Sequence, residues 1–188
     1  MPALVCKPLT PSRWKAFETL FGPNGACAGC WCQWIRQPQA QYRKNQGAPN
    51  KRLTKAFVDS GRTLGLLAYR GKEAVGWVAL APRAAYKRLD SSRILKPLDD
   101  QPVWSVPCFY VAQSARGQGV TVALLKAAAA YAKRKGAAIL EGYPVDTKGA
   151  KTVNAFLWWG TWSAFKKAGF KEAARRSPKR PVARLALR

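Results

Sequence analysis

At 188 residues, with 48% hydrophobic and 22% charged side chains, the chain is long enough to bury a core and too apolar to be disordered. Its apolar runs fall well short of a membrane span. The charge excludes more: 33 Lys and Arg against nine Asp and Glu give +24, a field that attracts polyanions, and the lack of His removes Ser–His or Cys–His catalytic pairs and His-ligated metals. The first residues show no basic segment leading into an apolar one, so a cytoplasmic protein with reduced thiols is expected from its five cysteines.

In chain order, Val5 to Leu9 reads as a strand. Thr10-Pro11 then suits an N-cap and first helical position, and Trp14, Phe17 and Leu20-Phe21 give the spacing of an amphipathic helix ended by Gly22-Pro23. Asn24 to Asn50 shows no sustained period and is expected to be irregular. Lys51 to Ser60 reads as a short helix with Leu53, Ala56 and Phe57 inward, closed by Gly61. Thr63–Tyr69 and Ala74–Ala81 are strand-length apolar runs joined across Arg70-Gly71-Lys72-Glu73, a hairpin signal. Arg83 to Pro102 is a polar, basic connection. Val103–Val111 is a further strand, in which Pro107 removes a ladder donor and predicts a bulge or an edge.

Val120 to Lys135 is rich in Ala and Leu and ends in Lys133-Arg134-Lys135-Gly136, cations suited to the negative end of a helix. Ala137–Val145 reads as a strand, Phe156–Ala168 as an apolar helix stopped by Gly169, and Phe170–Arg176 with Val182–Leu187 as a closing hairpin. No repeat or low-complexity linker divides residues 1–188, so a single α/β domain is expected, with a mixed, mostly antiparallel sheet flanked by helices.

The chemistry points to Ala112–Gly119, between a strand and the Ala-rich helix. The first turn of a helix offers unpaired N–H groups and a positive dipole end, and Gly117 and Gly119 let the backbone curl against a ligand. Arg116 can add a charge-assisted contact. The loop is too short for a Walker motif and no Lys-Ser/Thr pair follows it. Its late position, with no acidic ribose partner, also departs from a dinucleotide fingerprint.

Gln113-x-x-Arg116-Gly117-Gln118-Gly119-Val120 before a long helix, the strand Ile139–Pro144 after it, and Phe165-Lys166-Lys167-Ala168-Gly169-Phe170 together resemble the GNAT N-acetyltransferase superfamily. The element order resembles that family over essentially the whole chain. The resemblance implies a fold with splayed central strands and acetyl-coenzyme A (acetyl-CoA) as acyl donor. Its pyrophosphate would lie on the N–H groups of Arg116, Gly117, Gln118, Gly119, Val120 and Thr121. The pantetheine would pair with backbone groups of Phe109, Tyr110 and Val111, and the thioester carbonyl would accept an N–H near Phe109 or Tyr110. An amine would then attack the thioester directly.

Two positions depart from the family pattern. Thr121 stands where Gly or Ala is usual, and Phe165 stands where a Tyr often serves as general acid. Glu141 is the first candidate for a base, against the alternative of a salt bridge. Tyr143 shares its face by the two-residue period, and Asp146 lies just beyond. Cys108 alternates away from Phe109 and reads as a core thiol. Cys27, Cys30 and Cys32 could hold zinc with Cys6, but one C-x-x-C without a second half argues for a packed aromatic segment, so no metal is expected.

The resembled fold makes Trp31, Trp34, Arg36, Trp158, Trp159 and Trp162 candidate acceptor contacts, with aromatic core as the competing reading. The positive charge favours an acceptor carrying a carboxylate or phosphate on a small molecule or protein. The alternatives are an RNA-linked acceptor (aminoacyl-tRNA or ribosomal protein) met by the basic residues from Lys166 to Arg188, and a non-catalytic module binding CoA or nucleic acid. No membrane partner is expected, and the sequence sets no oligomeric state.

Overall fold

The computed structural model describes residues 3–150 and 157–187. In chain order the elements are β1 (Leu4–Pro8), α1 (Trp14–Phe21), α2 (Gln39–Lys44), α3 (Ala48–Asp59), β2 (Gly65–Arg70), β3 (Glu73–Ala79), β4 (Ala81–Pro82) and α4 (Lys87–Asp90). They continue as β5 (Trp104–Val106), β6 (Phe109–Val111), α5 (Val120–Arg134), β7 (Ile139–Gly142), α6 (Trp162–Lys167), β8 (Lys171–Arg175) and β9 (Pro181–Ala186).

The strands form two sheets. One, wholly antiparallel, runs β1-β2-β3-β6; the other runs β4-β5-β7-β9-β8, with β5 and β7 parallel and its other pairs antiparallel. The mixed α/β fold expected from the sequence is thus present, and so is the hairpin at Gly71, whose φ of 58° suits glycine. α5 buries Val120, Leu124, Leu125, Ala128, Tyr131 and Ala132 against β2 and β3, and lies so close that a Cβ on Gly76 would stand 2.5 Å from Val120 Cγ1. α1 covers the opposite face, where Phe17 meets Trp77 edge-on at 4.9 Å. A third cluster, with Tyr86, Leu89, Leu95, Tyr143 and Trp159, lies under the connection after β4.

Several expectations are corrected. Val103–Val111 is not one bulged strand: β5 and β6 belong to different sheets, parted at Pro107-Cys108. Pro107 has no N–H to continue a ladder, while the Cys108 carbonyl accepts from Ala79 N at 2.8 Å and draws the second half onto β3. Ala137–Val145 keeps strand pairing over Ile139–Gly142, and Val145 bridges to Thr161 instead. Arg83–Pro102, expected as a polar connection, contains α4 and supplies three core side chains, Tyr86, Leu89 and Leu95.

α3 begins at Ala48 and its buried stripe is Asn50, Thr54 and Val58, not Leu53, Ala56 and Phe57. Hydrogen bonds set that phase: Gln33 Nε2 donates to Thr54 Oγ1 (2.8 Å), Thr54 Oγ1 to the Trp31 carbonyl (2.8 Å), and Gln37 Nε2 to Asn50 Oδ1 (2.8 Å). The helix turns its polar side inward because the irregular segment 22–37 brings backbone groups that need partners. Asn24–Asn50 is largely irregular as expected but includes α2. The helix expected over Phe156–Ala168 is shortened to α6. Phe156 lies outside the described residues, Gly160 takes φ 78°, and Thr161 caps the helix by accepting Ala164 N at 3.3 Å.

Candidate active site

The loop before α5 has the properties its sequence suggests. Gly117 and Gly119 sit at φ 74° and 78°, with nothing within 4 Å of where a Cβ would project, so glycine is needed there for conformation rather than space. The first intrahelical bond runs from Ala123 N to Gly119 O at 3.0 Å, leaving the N–H groups of Val120, Thr121 and Val122 without a carbonyl one turn back. No side chain caps this end of the 15-residue helix, and its first turn carries no acidic residue. Gln118 Nε2 braces the loop by donating to Ser114 O (2.8 Å), and Arg116 Nε ties it to Val111 O (3.2 Å). The result is an exposed, positively polarised cradle of the kind that suits an anionic group.

The loop leads back to β6, the edge strand of its sheet. Ala79 N donates to Cys108 O and Ala112 N to Val75 O, so by alternation the even residues bond β3, and Phe109 and Val111 turn their backbone groups to the open side. Tyr110, expected among the pantetheine contacts, therefore directs its backbone at β3. Beyond Val106 and Gly142 the two sheets diverge, and residues 158–161 cross the gap. Phe109 N donates to Trp158 O (2.6 Å), Val145 N to Gly160 O (2.9 Å) and Trp162 N to Val145 O (2.8 Å). The N–H expected to hold a thioester carbonyl is thus engaged by Trp158.

Glu141 and Tyr143 do not face this gap. Glu141 pairs in register with Ser105, inside the joined part of β5 and β7, and is 1% exposed. Its Oε1 accepts from Tyr143 Oη (2.7 Å) and its Oε2 from Arg184 Nε (2.8 Å), while Arg184 also binds Asp99 through Nη1 (2.6 Å) and Nη2 (3.0 Å). Tyr143 Oη further meets Ser105 Oγ (3.0 Å) and Arg83 Nη1 (3.2 Å). Burial raises the Tyr143 phenol above its ordinary range, with the Glu141 charge adding to the effect. The salt bridge weighed against a base for Glu141 is what the geometry shows. Period two placed these side chains on one face, but that face is covered by residues 83–99. Asp146, just past the strand, pairs with Arg175 at 3.0 Å.

Phe165 is fully buried, edge-on to Phe109 and Phe170 at 6.0 and 4.8 Å, and its ring fills the space a Cβ on Gly142 would need. Cys108, partly exposed, lies beside Cys32, whose sulfur accepts from Trp77 Nε1 at 3.3 Å. The neighbouring Cys108 thiol, aided by the Arg36 charge, lowers the Cys32 thiol below its ordinary range, and the same pairing pushes Cys108 well up. Among the described residues no group of three or more Cys, Asp or Glu could hold a metal.

The candidate acceptor contacts do not all come together. Trp31 is packed under α1, and Arg36 is held by Leu64 O (3.2 Å) and Tyr86 Oη (3.3 Å). Trp162 sits on α6 at the edge of the main core. Trp34, Trp158 and Trp159 come together, with Trp34 edge-on to Trp158 at 4.8 Å and Trp158 stacked on Trp159 at 4.2 Å. They wall a cavity of about 360 Å³ shared with Leu95, Arg88 and Arg180. The two arginines carried no signal in the sequence that set them apart from the other cations.

The sequence model of the acetyltransferase (GNAT) family matches residues 31–152. The chain therefore belongs to the GNAT acetyltransferase family. No curated protein matches it closely enough to count as a relative. Among solved structures it is similar to PaiA N-acetyltransferase from Thermoplasma acidophilum in complex with coenzyme A (13% identity, TM-score 0.54, 98% of this chain and 99% of that one). It is also similar to a GNAT-family acetyltransferase from Listeria monocytogenes (9%, 0.59, 98% and 95%) and to YncA from Salmonella typhimurium with its cofactor acetyl-CoA (14%, 0.56, 99% and 95%). At these identities the likeness establishes the fold. Among the described residues no helix is long and apolar enough to cross a membrane.

Proposed function

We propose that the chain is an N-acetyltransferase that takes its acetyl group from acetyl-CoA and places it on an amine. The observation that carries this reading is the open N-terminus of α5, with Gly117 and Gly119 in left-handed conformation and no acidic residue or cap to compete for the pyrophosphate. The N–H groups from Gly117 to Thr121 would hold the pyrophosphate, since Arg116 N–H is taken by Gln113 O, and the outward backbone edge of Phe109 and Val111 would guide the pantetheine once Trp158 O and Arg116 Nε release it. Family membership and the coenzyme-bound neighbours support the donor. The binding residues are those the family resemblance implies, and the left-handed glycines and open helix end support that reading.

In the transfer, the amine nitrogen attacks the thioester carbonyl carbon. A C–N bond forms, the C–S bond breaks, and the sulfur leaves with the electron pair and takes a proton. Phe109 N–H would stabilise the carbonyl oxygen as charge develops, once Trp158 O gives up that bond. Glu141, Asp146 and Asp99 are each committed to an arginine, so we assign the amine's proton to water rather than to a side-chain base. Calorimetry with acetyl-CoA, together with a thiol-release assay over an amine panel, tests the reading. Binding followed by amine-dependent release of CoA is expected, and binding without release would leave a coenzyme-binding module only. The pH profile of kcat/KM should follow the ammonium pKa of each acceptor; one inflection common to all acceptors would restore a side-chain base.

An RNA-linked acceptor is the competing reading, favoured by the exposed Lys166, Lys167, Lys171 and Lys179 around α6 and β8. It requires RNA affinity that falls steeply with salt.

A further inference from the structure

The cavity beside the gap combines an aromatic lining with cations that have no counter-ion. Arg88 stacks on Trp34, with Cζ 4.1 Å from the ring, and its Nε and Nη2 are buried with no hydrogen-bond partner among the described residues. Arg180 lies 4.9 Å over Trp159, and its guanidinium's one hydrogen bond to a described residue goes to a neutral carbonyl, Tyr143 O. Neither arginine forms a salt bridge with a described carboxylate, whereas Arg83, Arg175 and Arg184 each do. Loss of water holds both guanidiniums below their ordinary pKa, and the neighbouring Arg43 adds to that strain at Arg88.

A cation partly withdrawn from water without a counter-ion is costly, and two such arginines, neither paired with a described carboxylate, line one apolar cavity. The guanidinium edge is a planar fork matched to carboxylate. The cavity also touches the reacting end directly, since Trp158 lines it while its carbonyl holds Phe109 N–H.

We infer that this cavity is the acceptor site and that it selects an amine bearing both an aromatic-sized apolar group and a carboxylate, the pattern of an aromatic amino acid. The inference rests on the acetyltransfer reading. The indoles of Trp34, Trp158 and Trp159 enclose the apolar group, Arg88 and Arg180 take the carboxylate, and the amine projects past Trp158 toward the thioester carbon. The bonds made and broken are those given above: C–N forms, C–S breaks, and the amine's proton passes to water.

The test compares phenylalanine, phenylalaninamide and phenethylamine as acceptors for the intact wild-type protein. With kcat/KM expressed per neutral amine, phenylalanine should be favoured by about tenfold or more, the scale of hydrogen bonds to charged groups. Equal use of the three would overturn the inference. Arg88→Met should raise KM for phenylalanine by about the same factor with little change in kcat, and should cost phenylalanine several-fold more than phenethylamine. An unchanged preference in that variant would also overturn it.

A second readout does not depend on turnover. N-acetylphenylalanine, the product, should quench tryptophan fluorescence saturably, and its amide should not. No quenching by either, or equal quenching by both, refutes the site. If acetyl-CoA fails to bind in calorimetry while N-acetylphenylalanine still quenches, the acetyltransfer reading fails and the carboxylate pocket stands.

Discussion

The two halves of the candidate site are built in opposite ways. The donor side is one loop and one helix end, a contiguous run from Gln113 to Thr121 whose form follows from two glycines and an Ala-rich helix. The acceptor side is gathered from segments far apart in sequence: Trp34 from the irregular stretch after α1, Arg88 from α4, Trp158 and Trp159 before α6, and Arg180 from the last turn. A backbone cradle needs conformation and little else. A side-chain pocket needs the whole fold to be right, and it can change its specificity without disturbing the cradle.

Substitutions can break this comparison or sharpen it. The largest effect is expected for Glu141→Gln, which strips a charge from the buried Glu141–Arg184 pair and should cost about 3 kcal/mol in denaturant unfolding. If Glu141 is a brace beneath the acceptor side, kcat/KM per folded molecule changes little; a collapse of kcat with stability intact would return it to catalysis. Next comes Gly119→Val on the donor side. A β-branched residue at φ 78° carries about 1–3 kcal/mol of strain, so acetyl-CoA affinity in calorimetry should fall at least tenfold, while N-acetylphenylalanine quenching is retained. Affinity equal to wild type would remove the loop from the site.

A smaller effect is expected for Phe165→Tyr, which puts back the phenol that the family often carries. The ring is enclosed against Gly142, so a hydroxyl without a partner should cost about 1–2 kcal/mol and bring no gain in kcat. A faster enzyme would show that the ring reaches the leaving thiolate. The smallest signal is spectroscopic. Cys32 should gain thiolate absorbance at a lower pH than an ordinary thiol, because its charged form is the one its neighbours Cys108 and Arg36 stabilise, whereas Cys108 stays protonated. Cys32→Ser should abolish that step.

What was legible in the sequence follows the same division. α5, the Gly71 hairpin and the Gly117–Gly119 loop are set by neighbours in sequence, and composition and spacing suffice to read them. The phase of α3 was misread because Asn50 and Thr54 face inward to satisfy Gln37, Gln33 and the Trp31 carbonyl, partners that no helical period reveals. Pro107 announced a break but not that its two sides join different sheets, since that depends on β3 capturing Cys108 O. Glu141 looked catalytic because a lone acid amid many cations invites a role; the two-residue period set Tyr143 beside it, but its partner Arg184 follows only from the register of β7 with β9. Trp34, Trp158 and Trp159 stood out as residues, yet only the fold shows that they share a cavity with Arg88.

Trp158 touches both halves, through its carbonyl on Phe109 N–H and its indole in the cavity wall. That double attachment has a kinetic consequence for the proposed reaction. An amine that enters first pins the indole and keeps the carbonyl latched, so it competes with the thioester for the same N–H. Rates should therefore pass through a maximum as acceptor rises at fixed donor, and the maximum should move to higher acceptor as donor is raised. One residue shared between two pockets thus sets the order in which they fill.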